Sequence, residues 1–127
     1  MHPSFEFVRE LVSNEFPRAR SDLRRRWEAG DPPVLLVTAP QRVGPEHLNQ
    51  TAAFILSLCD GTRSLPVIAE EFRRRFPDLE EQRAFVESIR CVRALQRKGL
   101  LHRLEETLGS RVTAKQRVAD KPAGEGR

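Results

Sequence analysis

Apolar residues recur at helical spacing in the segment SFEFVRELVSNEF, residues 4 to 16, where Phe5, Val8, Leu11, Val12 and Phe16 share a face and Ser4 stands as N-cap. Pro17 is expected to end that helix, because its ring disfavours the α conformation in the residue before it. The period then shortens to two. Leu23, Arg25 and Trp27 fall on one face of an extended segment, and Asp22, Arg24 and Arg26 on the other. After the turn EAGDPP, Val34-Leu35-Leu36-Val37-Thr38 is an uninterrupted β-branched-rich run, which predicts a central strand covered on both faces. A second turn at Ala39-Pro40-Gln41 leads to Arg42-Val43, where a third strand is expected to start. Gly44-Pro45 weakens that strand, since proline has no ladder donor.

From Leu48 onward the spacing is helical again. Asn49 caps a helix in which Ala52, Ala53, Leu56 and Cys59 form a stripe widened by Phe54, Ile55 and Leu58, with Gly61 as its C′ residue. Ser64 caps the next helix, whose buried stripe is Leu65, Ile68, Ala69, Phe72 and Phe76, and Pro77 stops it. Asp78 and Glu81 have the spacing of a capping box for a third helix from about Leu79 to Lys98, closed by Gly99. Leu100 to Leu104 is expected to add a short strand or fold back on the core.

The order is thus helix, three short strands, three helices and a tail. This is an α+β class, in which a small three-stranded antiparallel sheet followed by three helices gives a winged helix-turn-helix-like domain with an extra N-terminal helix. Residues 1–16 form the helical extension, 17–104 the domain and 105–127 a disordered tail that includes KQRVADKPAGEGR.

Composition changes this picture little. With 39% hydrophobic and 31% charged residues the chain is ordinary for one soluble domain. No apolar run approaches the roughly 18 residues of a membrane span. Glu6, Arg9 and Glu10 interrupt any signal-peptide pattern, so a cytoplasmic location without membrane contact is expected. The net charge of +4 favours an acidic partner, a nucleic acid or an acidic peptide, but the charges are interspersed, as in Glu70-Glu71 before Arg73-Arg74-Arg75. Cys59 and Cys91 lie on separate helical patterns without metal-ligand spacing and read as free buried thiols.

Catalytic chemistry has no visible seat. His2, His47 and His102 stand far apart, there is no Cys-x-x-Cys and no glycine-rich phosphate loop, and the carboxylates pair with arginines at helix spacing, as Glu87 does with Arg83 and Arg90. The chain reads as a non-enzyme without cofactor or metal. The third helix says more. Ala84, Leu95, Val92, Phe85, Ile89 and Val86 spread over roughly 200° of its circumference, wider than the ~100° stripe of a surface helix. A helix apolar over that width either lies deep in the core or packs on the core while one flank lines a peptide groove.

The segment Leu48-Asn49-Gln50-Thr51-Ala52-Ala53, then Ile55, then Leu58-Cys59-Asp60-Gly61-Thr62, resembles the signature of the pyrroloquinoline quinone biosynthesis protein D family. The helix containing Ile68 and Phe72 that ends at Arg75-Phe76-Pro77, and the long helix closing on Lys98-Gly99-Leu100-Leu101, fit as well, as do Pro17-Arg18 and the Val34–Val37 strand. The resemblance runs from residue 17 to residue 104. It implies a winged-helix-like domain that binds the leader segment of a ribosomally made precursor peptide as a strand beside the third strand and against the third helix. The domain then presents that peptide to a modifying enzyme, often a radical S-adenosylmethionine protein. Carried over by position, the strand-side contacts are Arg42, Val43, His47 and Leu48, and the helix-side contacts come from Phe85, Ile89, Val92, Arg93 and Gln96. Two departures, the longer stretch holding Gly44-Pro45 and the segment before Pro17, point to a relative serving some other modified peptide.

Two rival readings remain. A winged-helix DNA-binding regulator fits the basic charge, but Glu80, Glu81 and Glu87 share the third helix with Arg83, Arg90 and Arg93, so nucleic acid is disfavoured there. A subunit that only stabilises a larger enzyme, or a homodimer, would use the broad apolar helix as its interface.

Overall fold

The run Val34–Thr38 is the middle of a three-stranded antiparallel sheet, as its continuous apolar character requires. The computed structural model describes residues 5–108. In chain order the elements are α1 (Phe5–Leu11), β1 (Arg24–Glu28), β2 (Val34–Thr38), β3 (Glu46–Leu48), α2 (Gln50–Leu58), α3 (Leu65–Arg75) and α4 (Glu81–Arg97), with a 3-10 turn at Leu104–Glu106. The architecture is the expected α+β one, and it is compatible with a winged helix-turn-helix.

The register sets what each face of the sheet presents. Leu35 pairs with Leu48, so Leu35, Val37 and Leu48 point to one face and join the core. Leu36 pairs with Arg26 on one side and His47 on the other, which places these three across the opposite, outer face. Beneath the sheet, α2 buries Ala53, Ile55, Leu56 and Leu58. From α3 come Leu65, Ile68, Ala69 and Phe72, and from α4 Ala84, Phe85, Ser88, Val92 and Leu95. Each large apolar side chain so buried contributes about 1.5–3 kcal/mol relative to exposure.

The helix ends follow their local chemistry. Asn49 Oδ1 accepts from the Ala52 amide at 2.8 Å, and Ser64 Oγ accepts from Val67 N at 3.4 Å, each meeting an amide the helix leaves open. Gly99, at φ +77°, closes α4: its amide donates to Gln96 O and that of Leu100 to Leu95 O, both at 3.0 Å. That turn sends Leu100 and Leu101 back into the core, where Leu101 bridges Ala19 and the His102 amide donates to Arg18 O at 2.9 Å.

Several expectations need correction. The third strand starts at Glu46, not at Arg42-Val43, because the Arg42 amide is held in a turn by Ala39 O at 3.0 Å, Gly44 sits at φ +85° and Pro45 has no amide to offer. The N-terminal helix stops at Leu11 rather than at Pro17. Ser13 folds back on Glu10 O, and Phe16 donates instead to Thr107 O at 3.1 Å, so pairing with a segment distant in sequence overrides helix propensity. Ser4 lies outside the described residues. The Asp78–Glu81 box does not form: α4 begins at Glu81 with Glu80 as N-cap and no side-chain cap bond, because Leu79 N donates to Phe76 O in a preceding turn. Gly61, at φ +83°, stands beyond the Cys59 C-cap and donates to Pro17 O at 3.0 Å.

At the start of the expected tail, Thr107 is buried and Leu108 bridges Glu15. The rest of that tail, from residue 109, lies outside the described residues. No helix among the described residues is long and apolar enough to cross a membrane.

Candidate functional site

β3 is an edge strand. It pairs with β2 along one side, and among the described residues no strand covers the other. An open edge presents backbone donors and acceptors that can pair with an extended segment. Charge fixes its position relative to α4. Glu46 Oε1 accepts from Arg42 Nη2 and Glu46 Oε2 from Lys98 Nζ, both at 2.9 Å, while Arg42 Nη1 donates to Lys98 O at 2.7 Å. Arg42 thus serves as a cationic partner for the carbonyl end of α4 and clamps the turn, the strand and the helix together. Its Nε is buried without a partner.

The nine residues singled out from the sequence fall into separate environments. Arg42 is in this clamp, Val43 projects fully into solvent from the turn, and His47 is exposed on the outer face. Leu48, Phe85 and Val92 are closed in the core. Phe85 meets the Phe5 ring of α1 edge-on, with centroids 5.1 Å apart. Ile89 is half-buried against the core. Arg93 makes a two-pronged bond to the buried Glu15, Nη1 to Oε1 at 2.9 Å and Nη2 to Oε2 at 2.8 Å, and also donates to Gln96 Oε1 at 3.2 Å. Gln96 Nε2 is buried without a partner.

The strand-side and helix-side sets are therefore not brought together. Lys98 carries the contact with β3, and at about 100° per residue Ile89, Arg93 and Gln96 lie some 140–180° round the helix from it. Arg93 is joined there to the N-terminal segment, not to the strand. The stripe that leads to Lys98 is Glu87, Cys91 and Ala94, spaced i, i+4 and i+7, and all three are half-buried. Apolar spacing does not mark this stripe, because only Cys91 and Ala94 are apolar and both are small. The available signal was their common stripe with a cation at the helix end.

Neither cysteine is an activated nucleophile. Burial pushes the Cys91 thiol up to about 11, with the Glu87 charge adding to the shift, and burial raises Cys59 further. Among the described residues no group of His, Cys, Asp and Glu is arranged to hold a metal.

Comparison with known proteins places these features. The family described as coenzyme PQQ synthesis protein D matches residues 45–101. The PqqA binding protein of Azotobacter vinelandii (strain DJ / ATCC BAA-1303) is 40% identical over 70 residues, 54% of this chain and 72% of that protein. No solved structure matches. The matched span opens at the proline before β3 and closes just after Gly99, so both the edge strand and α4 fall within it, and the chain belongs to the coenzyme PQQ synthesis protein D family.

Proposed function

We propose that this chain is a peptide-binding adaptor, which takes the leader segment of a ribosomally made precursor along β3 and presents it to a peptide-modifying enzyme, a radical S-adenosylmethionine protein, in the cytoplasm. The observation that carries this reading is the open edge of β3 clamped beside α4 through Glu46, Arg42 and Lys98. Membership of the family and likeness to a protein named for binding PqqA support it. Backbone pairing supplies affinity, and alternate side chains of the added strand reach the two faces of the sheet, which supplies selectivity. The adaptor itself performs no chemistry.

In this arrangement Arg42, Val43 and His47 flank the peptide, and Leu48, Phe85 and Val92 support the strand and helix from below. The helix-side contacts come from Glu87, Cys91, Ala94 and Lys98. Ile89, Arg93 and Gln96 lie on the other flank of α4 in this arrangement.

Calorimetric titration with the N-terminal half of a short peptide encoded beside this chain tests the reading. Low-micromolar 1:1 binding, weakened at least ~10-fold by Lys98→Glu, is expected. Steeply salt-dependent binding of duplex DNA without peptide binding would replace it with the regulator reading.

A further inference from the structure

Strand β1 carries three consecutive arginines. On the helices many arginines are matched by carboxylates, Arg9 with Glu70, Arg74 with Glu70 and Glu71, Arg83 and Arg90 with Glu87, while Arg73, Arg75 and Arg97 show no such pair among the described residues. Arg24, Arg25 and Arg26 have no ion pair or hydrogen-bond partner for their side chains among the described residues. The nearest preceding carboxylate, Asp22, is already taken by Arg20 at 2.7 and 3.0 Å. Every residue of β1 is exposed, and Trp27 beside the arginines is 54% exposed. Three like charges on successive residues repel one another, and no partner in the described fold offsets that repulsion.

Because strand side chains alternate, Arg24 and Arg26 point to the outer face and Arg25 with Trp27 to the other. Both faces of this edge therefore carry arginine, with Glu28 at the end of the strand on the outer face. Arg24, Arg25 and Arg26 line a shallow depression of about 420 Å3 with Leu36, Thr38 and Pro45. A second of about 320 Å3 continues from Arg24 and Thr38 to Ala39 and Pro40. The outer edge of β1 is open among the described residues, as its only sheet neighbour is β2.

We infer that the β1 edge is a second docking surface, which takes an extended acidic segment of a partner protein. Consecutive carboxylates on such a segment meet Arg24 and Arg26 on one face and Arg25 on the other, and guanidinium forks favour carboxylates in this geometry. Arginine and tryptophan together are the composition of a protein-binding hot spot. A second copy of this chain is disfavoured, since pairing two β1 edges sets arginine against arginine. Nucleic acid is also a poor fit, because three cations on one short strand meet few phosphates, whereas strong binding uses about 6–10 contacts. β1 and β3 are opposite edges of the sheet, so both can be occupied at once. The inference rests on the charge of β1 and stands whether or not β3 takes a peptide.

The test uses the full chain and Trp27, its sole tryptophan, as a fluorescent reporter on the strand itself. The probes are a short acetylated peptide built round a Glu-Glu-Glu run, its Gln-Gln-Gln counterpart and a generic DNA duplex. The glutamate peptide is expected to change Trp27 emission saturably. Binding should be at least ~10-fold weaker for the glutamine peptide and for the Arg24→Ser/Arg26→Ser double variant, and unchanged for Arg73→Ser. Circular dichroism checks that the double variant is folded. Absence of saturable binding at millimolar glutamate peptide overturns the inference, as does equal binding of the glutamine peptide or tighter binding of the duplex.

Discussion

Glu15 and Arg93, 78 positions apart in the chain, form a two-pronged ion pair at 2.8 and 2.9 Å that fastens the N-terminal segment to α4. Glu15 also ties α3 into the same junction, since its backbone oxygen accepts from Leu65 N at 2.9 Å. The pair is unequally buried, with side-chain exposures of 5% for Glu15 and 29% for Arg93. Removing either partner therefore has a different consequence.

Arg93→Ala strands a buried carboxylate, whereas Glu15→Ala leaves a guanidinium that reaches solvent. Urea denaturation should show the arginine variant losing about 3 kcal/mol and the glutamate variant about 1 kcal/mol. Equal losses would mean that the carboxylate is hydrated in solution.

Peptide binding responds to the same pair in a way that separates two sets of helix contacts. If the peptide uses the Lys98 stripe, Glu15→Gln leaves the dissociation constant within about a factor of 3, a change of under 1 kcal/mol. A large change in affinity would place the peptide instead on the flank of Ile89, Arg93 and Gln96.

Glu46→Ala removes the anion shared by Arg42 and Lys98. With two cations then facing each other across the clamp, β3 loses its fixed position beside α4. Calorimetry should record peptide binding about 10-fold weaker, against a stability loss of only about 1 kcal/mol for partly exposed pairs. Unchanged affinity would show that the clamp is structural only.

Gly99→Ala isolates the closing turn of α4. No atom lies within 4 Å of the place a Cβ would occupy, so the cost comes from the backbone at φ +77° alone. About 1–2 kcal/mol is expected from denaturation, with peptide affinity retained.

The Cys91 thiol gives the pH dependence. It ionises near 9 in an unfolded chain, and burial holds it up to about 11 in the fold. Its folded value is raised, so its contribution is complete below pH 9 and is lost as pH rises toward 11. Cys91→Ala should flatten the loss of stability between these values in pH-dependent denaturation. An identical alkaline profile for this variant would assign the loss to other groups.

Local chemistry made much of the fold legible. Val34–Thr38 reads as a central strand because it is a continuous apolar run rich in β-branched residues, and Asn49, Ser64 and Gly99 mark helix ends through bonds made within a few residues. What was hidden depends on distant partners. Nothing near Glu15 shows that it is buried, because its partner lies 78 positions away. Of the wide apolar arc on α4, Ala84, Phe85, Val92 and Leu95 are buried while Ile89 is half-buried and Val86 exposed, and periodicity does not say which neighbour covers which flank. Arg93 thus faces the N-terminal segment, which its spacing alone does not show. The start of β3 was misplaced for a simpler reason. Gly44-Pro45 reads as an interruption within a strand, whereas it is the end of the turn before one.

The most direct test of the account is backbone amide exchange at Glu46, His47 and Leu48 with and without the leader half of the neighbouring precursor. Strand addition should slow exchange of outward-facing β3 amides in proportion to bound peptide, while exposed amides of α3 stay unchanged. Saturable peptide binding with no protection on β3 would contradict the strand-addition site.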